Sequence, residues 1–192
     1  MAKIKTRDLI LDVALILFNE RGESVVTSVD LANEMNISPG NLYYHFKGKE
    51  EVVEELYAQF HARVLLTLKE ITSQPNESSH EILAGLVVLA QVLQQFKFIS
   101  QDVHGIHERY SELRQPFKVL FSLIEQSLNV LVSKIIKKSK TVELDNAVSL
   151  LSDNLLFTLL NYGSYDDLLD RHDRAQEKSI EEHLYLHILP FI

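Results

Sequence analysis

Two helix-start signals near the N-terminus constrain the fold of this 192-residue chain more than any other feature. Thr27 can cap one helix, with Asp30 as the acidic residue three positions later. Ser38 can cap a second helix, with Pro39 at its first position. Asn36, in the short connection between them, is one of the few non-glycine residue types that readily adopt a left-handed conformation. Two short helices joined by so tight a turn are typical of a helix-turn-helix.

The second helix of this motif would present a polar face that can enter the major groove of DNA. Leu42 and Phe46 are four residues apart, so both can turn toward a small core. Gly40 has no side chain and lets the backbone approach a base edge, and Asn41 can pair with adenine. The predicted outer face therefore consists of Pro39, Gly40, Asn41 and Tyr44.

Other polar side chains around the motif can contact phosphates, which position a protein without reading the sequence. We expect these further DNA contacts at Thr27, Ser38, Tyr43, His45 and Lys49. An N-terminal arm would add Lys3, Lys5 and Arg7. From the residues alone, a three-helix bundle that only packs or binds protein remains an alternative.

The charge distribution is compatible with DNA binding, although the whole chain has a net charge of −8. Residues 1–50 have a net charge of −1, and the rest of the chain has −7. A DNA-binding protein would present the first part and keep the second part away from phosphates.

Helical spacing continues through the rest of the chain, which predicts an all-α fold. Residues 1–48 would form a three-helix domain with the helix-turn-helix, and residues 49–192 a larger helical domain. A long helix after Lys49, roughly 35 Å in length, would connect the two. The other predicted helices span 7–21 before the motif, and 80–96, 100–112, 116–138, 144–161 and 176–189 after the long helix.

The last two predicted helices carry apolar stripes that could pair with a second copy in an intermolecular four-helix bundle. Burial within one chain is the alternative for such stripes. The candidate dimer contacts are Val148, Leu151, Leu155, Leu159, Ile180, Leu184, His187 and Ile188.

The composition narrows the class of protein further. The chain has no cysteine, so it can form neither a disulfide framework nor a thiolate metal site. No apolar run reaches the roughly 18 residues of a membrane span, and the N-terminus lacks the pattern of a secretory signal. We therefore expect a cytoplasmic protein with no membrane partner.

Two histidine pairs have a spacing that can bind metal, but neither has an evident third ligand. His183 and His187 lie one turn apart, as do His104 and His107 beside Asp102. We expect no metal and no cofactor. The sequence contains no G-x-S-x-G, P-loop or H-E-x-x-H motif, so nothing proposes an enzyme.

Residues 7–57 resemble the DNA-binding domain of the tetracycline-repressor (TetR) family of bacterial regulators. The most specific segment is Gly40-Asn41-Leu42-Tyr43-Tyr44-His45-Phe46-Lys47-x-Lys49-Glu50. Further matching residues are Ile10, Ala14, Phe18, Gly22, Thr27, Leu31, Ala32, Ile37 and Ser38. The chain departs from the family at Met35-Asn36, where Ala-Gly is usual, and at Leu31, where Ile is usual.

The resemblance implies a homodimeric transcription regulator that binds double-stranded DNA at a palindromic operator, with residues 39–45 in the major groove. It also implies a C-terminal helical domain that dimerises through its last two helices and binds a small-molecule effector. The effector pocket would draw on Phe96, Phe98, His104, His107, Tyr110, Phe117, Phe121 and Phe157. A helical small-molecule sensor or carrier that has lost specific DNA binding is the alternative function.

Overall fold

The computed structural model describes residues 6–73, 78–137, 146–168 and 180–191, and these form helices with no strand. Lys3 and Lys5 of the predicted arm lie outside the described residues. The DNA-binding unit consists of α1 (Thr6–Arg21), α2 (Ser28–Glu34) and α3 (Pro39–His45). The larger domain follows with α4 (Lys49–Ser73), α5 (Ser79–Gln95), α6 (Lys97–Ser100), α7 (Val103–Arg109), α8 (Arg114–Ile136), α9 (Ala147–Leu168) and α10 (Ile180–Ile188).

The local signals of the helix-turn-helix are confirmed. The Thr27 hydroxyl accepts a hydrogen bond from the backbone N–H of Asp30, and the Asp30 carboxylate accepts one from the N–H of Thr27 in return. Ser38 caps α3 through the N–H of Asn41, at 3.2 Å. Asn36 has a φ of 52°, so the predicted left-handed turn is present. These contacts satisfy N–H groups that a helix start otherwise leaves unpaired.

The helix α1 packs against α2, α3 and α4, and this contact builds the core of the DNA-binding unit. Phe18, Leu31, Leu42 and Phe46 are all at most 1% exposed. The core therefore fixes one side of α3 and leaves its opposite side in solvent.

The predicted helix over 100–112 is wrong, because the chain breaks there into α6, α7 and a 3₁₀ turn at Ser111–Leu113. Asp102 starts α7 anew by accepting a hydrogen bond from the N–H of Gly105, at 3.1 Å. A helix starting at a side-chain cap cannot simply continue the one before it. The helix predicted over 144–161 also ends later than expected, since α9 continues through Gly163 to Leu168.

The long helix α4 links the two parts of the molecule. It packs against α1 near its beginning and against α5 and α8 in the larger domain. Its buried face includes Val53, Leu56, Phe60, Val64 and Leu68. Any tilt of this helix would therefore move both parts together.

One segment, Ser111–Ile136, is long and apolar enough to cross a membrane by length and composition, with a mean hydropathy of 1.5. It contains α8, which packs against α4 and α9. Its buried residues include Phe117, Leu120, Ile124 and Leu128. Because the protein core already covers one face of this helix, its apolar character has an explanation without a membrane.

Candidate nucleic-acid interface

The outer face of α3 forms an exposed surface opposite the buried Leu42 and Phe46. Tyr44 is 86% exposed and Tyr43 is 53% exposed. The ring of Tyr44 meets that of His45 edge-on, with centroids 5.1 Å apart. The predicted residues Ser38, Pro39, Gly40 and Asn41 are exposed as well.

This surface has the chemistry of a helix that reads base edges. A methyl group built onto Gly40 would meet only the Ser38 hydroxyl oxygen, at 3.8 Å, so the helix surface there is open. The backbone N–H of Asn41 donates to the Ser38 cap, whereas the exposed side-chain amide of Asn41 makes no hydrogen bond within the described residues. That amide can donate and accept in the pattern that adenine presents in the major groove.

The phosphate contact predicted for Lys49 stays a prediction, and in the structure this cation has partners within the protein. Its ammonium lies 2.8 Å from the Glu23 carboxylate and 3.0 Å from the Glu23 carbonyl oxygen. The Lys49 side chain is only 18% exposed. A cation already bound to a buried carboxylate is poorly placed to neutralise a phosphate.

The DNA contact predicted for Arg7 also stays a prediction, and this side chain likewise has partners within the protein. Its guanidinium lies 3.1 Å from the Glu55 carboxylate and 4.4 Å from the centroid of the Phe46 ring. These contacts tie α1 to the end of α3 and to α4. The exposed Lys47, by contrast, has a side chain with no ion pair in the described part of the chain.

Glu23 is the centre of a buried ionic cluster, which we call the Glu23 cluster and which comprises Glu23, Lys49, Arg109 and Tyr110. Arg109 lies 2.8 Å from the Glu23 carboxylate, and the Tyr110 hydroxyl donates to the same carboxylate. Only 1% of the Glu23 side chain is exposed. Arg109 also pairs with Asp102, at 2.7 Å. The cluster therefore connects the DNA-binding unit, the start of α4 and the end of α7.

The electrostatics of the Glu23 cluster favour its charged form. Burial by itself would raise the pKa of Glu23, but hydrogen bonds from Lys49 and Tyr110 and the nearby positive charges lower that pKa below its ordinary value. Burial and the hydrogen bond to Glu23 raise the pKa of Tyr110, which therefore stays a neutral donor. The cluster contains a buried anion with two cations and one neutral donor.

A second polar contact joins the same two parts of the molecule. The side-chain amide of Asn19 accepts from the backbone N–H of Phe98 at 3.0 Å and donates to the carbonyl of Gln95 at 2.9 Å. The ring of Phe98 packs on Phe18, with centroids 5.2 Å apart. A cavity of about 310 Å³ lies beside these contacts, lined by residues of α1, α6 and the adjoining loops, including Gln101.

The structure disperses the residues predicted for the effector pocket. Phe98 and Tyr110 contact the DNA-binding unit, while Phe96 packs on Phe60 of α4. Phe117 packs on Tyr57 and stacks with Phe121. The Tyr57 hydroxyl is buried and has no hydrogen-bond partner among the described residues.

The remaining three pocket candidates lie toward the surface. Phe157 is 68% exposed, so within one chain it lines no enclosed space with the other candidates, and its pocket role stays a prediction. His104 is exposed, and His107 is half-buried with Glu108 3.2 Å from its Nδ1.

The apolar stripes predicted for dimerisation are largely buried within the protomer, and an interface at these residues stays a prediction. Five of the eight candidates are 5% exposed or less: Leu151, Leu155, Leu159, Leu184 and Ile188. Val148 and Ile180 are half-buried against the same core. The exposed apolar side chains of α9, α10 and the turn that follows are instead Leu150, Phe157, Tyr185, Leu186 and Leu189.

The histidine pairs have protein partners. His187 Nε2 lies 2.8 Å from the Thr158 hydroxyl, whose own proton goes to the carbonyl of Asn154. His187 therefore donates to Thr158. Burial, followed by the nearby His183, lowers the pKa of His187. Among the described residues, no group of three side chains could hold a metal ion.

Sequence reasoning missed the residues that join the two parts of the molecule. Glu23, Asn19 and Arg109 belong to no motif. Their partners across the boundary between the two parts lie 76 or more positions away, except for the Glu23–Lys49 pair at 26. Lys47 was not named as a single DNA contact, and its position between two predicted contacts makes a phosphate contact there a further prediction.

Comparisons with known proteins agree with this architecture. Residues 10–56 match the family model described as "Bacterial regulatory proteins, tetR family", and residues 59–189 match the one described as "Bacterial transcriptional repressor". A TetR-family transcriptional regulator from Marinobacter aquaeolei superposes with a TM-score of 0.81 at 23% identity, covering 98% of this chain and 92% of that one.

Curated relatives match mainly in the DNA-binding unit. The "Probable HTH-type transcriptional regulator YttP" of Bacillus subtilis is 31% identical over 86 residues, which are 44% of this chain and 42% of the relative. The repressor KstR2 of Mycolicibacterium smegmatis is 43% identical over 54 residues, 28% of this chain and 26% of KstR2. The chain thus spans less than half the length of either relative. Since the two family models together cover most of its length, the chain belongs to the TetR family of bacterial transcriptional regulators.

Proposed function

We propose that the chain is a cytoplasmic, dimeric repressor that binds a palindromic operator through α2 and α3 and is released by a small-molecule effector. The observation that carries this proposal is the open outer face of α3, with Gly40, Asn41 and Tyr44 in solvent opposite a buried core. Residues 1–48 form the DNA-binding domain in this proposal, and residues 49–192 form the effector and dimer domain.

The exposed apolar face at the C-terminal end supports dimerisation by a second copy. Phe157 is 68% exposed, Leu186 is 62% exposed and Leu150 is 49% exposed. Large apolar side chains grouped on two helices are typical of an interface. A two-fold dimer would hold the two α3 helices about 34 Å apart, one turn of DNA.

The region between α4 and α8 is the favoured place for the effector. Tyr57 and Phe117 lie there with ring centroids 4.6 Å apart, and the Tyr57 hydroxyl has no hydrogen-bond partner. A buried polar group without a partner is costly, so a bound molecule with an acceptor would stabilise it. An effector that prefers another tilt of α4 would lower DNA affinity.

Fluorescence anisotropy with the duplex upstream of the chain's own gene tests the proposal. The titration is made at two salt concentrations against unrelated competitor DNA, and we expect tight, competitor-resistant binding. The Asn41→Ala variant should change the consensus selected from random duplexes. Gln126→Ala, which removes an exposed amide on α8, is the matched control.

If wild-type protein selects no consensus from random duplexes, the DNA-binding proposal is wrong. If Asn41→Ala selects the same consensus as wild type, Asn41 does not read a base.

A further inference from the structure

The Glu23 cluster brings together three segments whose relative placement determines where α3 points. Glu23 follows α1 in the DNA-binding unit, Lys49 is the first residue of α4, and Arg109 is the last residue of α7. Lys49 and Arg109 both pair with the Glu23 carboxylate, which is almost completely buried. A carboxylate with partners on several elements can keep those elements in one arrangement only.

We propose that Glu23 is a positioning residue for operator binding, which locks the DNA-binding unit to α7 and so sets the separation of the two α3 helices in the dimer. This inference rests on the proposed function, because it assigns Glu23 a role in that same DNA binding. Glu23 itself touches no base or phosphate in this proposal.

The packing around the cluster explains why a polar lock is needed at this place. The cavity of about 310 Å³ between α1 and α6 leaves the boundary between the two parts incompletely filled. The contact of Phe18 with Phe98 is apolar, and apolar contacts have little directional preference. Directional bonds at Asn19 and in the Glu23 cluster therefore determine the angle between the two parts.

The cluster also gives Lys49 and Arg109 positioning roles in place of a direct contact with DNA. Lys49 contributes to DNA binding by fixing the start of α4 against Glu23, at 2.8 Å. Arg109 is the link from the larger domain, and its pairing with Asp102 connects the lock to the cap of α7. A change in the larger domain that moved α7 would be transmitted to the DNA-binding unit through the contact between Arg109 and Glu23.

The test compares Arg109→Gln with Arg114→Gln. Both variants remove one positive charge from the same region of the larger domain, so their long-range effects on DNA are matched. Arg109 bonds to Glu23 of the DNA-binding unit. Within the described residues, Arg114 bonds to the carbonyls of His107 and Glu108 and to the Glu108 carboxylate, all in its own domain. Arg109→Gln leaves Glu23 paired with Lys49, and the Arg109 side chain is already 36% exposed, so the variant should fold.

The first measurement is the distance between α3 and α8 within one chain, which needs no DNA. The chain has no cysteine, so spin labels at Tyr44→Cys and Val119→Cys report on those two exposed sites alone. An excess of unlabelled protein isolates the distance within one chain. Operator affinity and its salt dependence are measured on the same variants without labels.

We expect Arg109→Gln to broaden the distance distribution and weaken operator binding about tenfold, a size typical of conformational coupling. Its salt slope should stay that of wild type, and Arg114→Gln should match wild type in all three measurements. Arg109→Lys, which keeps the charge, should restore part of the affinity. Glu23→Gln should show the same broadening where it folds.

The proposal is overturned if Arg109→Gln and Arg114→Gln give the same distances as wild type. It is also overturned if the salt slope falls by about one while the distances stay unchanged, because Arg109 would then be a phosphate contact. If even the wild-type protein binds no operator, the proposed function fails, whereas the distance measurement still decides whether the lock exists.

Discussion

The guanidinium of Arg7 lies 4.4 Å from the centroid of the Phe46 ring, so the first helix of the chain contacts the residue that ends α3. A cation over an aromatic face is attracted by the negative potential of the ring. The carboxylates of Glu55 and Glu51 lie 3.1 Å and 3.9 Å from the same guanidinium. Arg7 therefore helps to hold the C-terminal end of α3 in place against α1 and α4.

The first prediction follows from this contact. We expect Arg7→Gln to lower the free energy of unfolding by about 1 kcal/mol, since a partly exposed cation–π contact and exposed ion pairs each contribute little. The salt slope of DNA binding should not change. Urea unfolding and anisotropy check both parts, and a slope reduced by one would assign Arg7 to a phosphate instead.

The second prediction concerns Lys47, the exposed cation beside the end of α3. We expect Lys47→Ala to weaken binding to all duplexes alike and to reduce the salt slope by about one, because it would lose one phosphate contact. Lys118→Ala on the exposed side of α8 is the control with the same charge change. If Lys47→Ala and Lys118→Ala have the same salt slope, Lys47 does not contact a phosphate.

The third prediction separates two glycines. Gly22 has φ 85° and ψ 135°, a conformation open to glycine and costly for other residues. We expect Gly22→Ala to lower the free energy of unfolding by roughly 1–3 kcal/mol, although a methyl group there would meet no atom within 4 Å.

Gly40→Ala is the matched comparison in the same unit. Gly40 lies in a helix without a positive φ, so this variant should unfold no more easily than wild type yet bind DNA more weakly. Equal stability of the two variants would contradict the backbone argument.

The fourth prediction concerns the dimer. We expect Phe157→Glu to shift the sedimenting species from dimer to monomer, because it buries a charge in the proposed interface without a partner. Leu66→Glu on α4, which is 58% exposed, introduces the same charge outside that face. A Phe157→Glu protein that sediments as a dimer at the concentration used for wild type would exclude this face.

The fifth prediction is a pH dependence from Glu23. Its folded pKa lies below the ordinary 4.5, so its ionised form stabilises the fold above that pH. This contribution disappears as the pH falls through the lowered folded pKa. The difference in unfolding free energy between wild type and Glu23→Gln should therefore shrink below pH 4.5 in denaturant titrations. A constant difference from neutral pH into acid would remove Glu23 as its source.

The helix-turn-helix could be predicted because its determinants are local. The caps at Thr27 and Ser38 act over three residues, and the left-handed turn depends on Asn36 itself. The roles of Lys49 and Arg7 could not be predicted, because their partners Glu23 and Glu55 are 26 and 48 residues distant. A basic residue near a DNA-binding motif predicts a phosphate contact only when no carboxylate of the protein forms an ion pair with it.

The residues of a dimer interface are hard to predict for a different physical reason. An apolar stripe on a helix shows that one face is buried, and it does not show which partner buries it. Leu155 and Leu184 pack within the protomer, and the exposed apolar residues such as Phe157 lie off that stripe. The helical period of the sequence is enough to predict the fold class. Predicting the interface also requires knowing which helix faces are buried within the protomer.

The burial of Glu23 between two cations also restricts the order in which this part of the chain can change during evolution. Loss of Glu23 first would leave Lys49 and Arg109 without their shared counter-charge. Arg109 is partly in water and keeps Asp102 as a second partner, so it can be replaced while Glu23 remains paired with Lys49. Relatives that lack Glu23 should therefore lack Arg109 as well. Relatives that keep Glu23 without Arg109 should be the common intermediate.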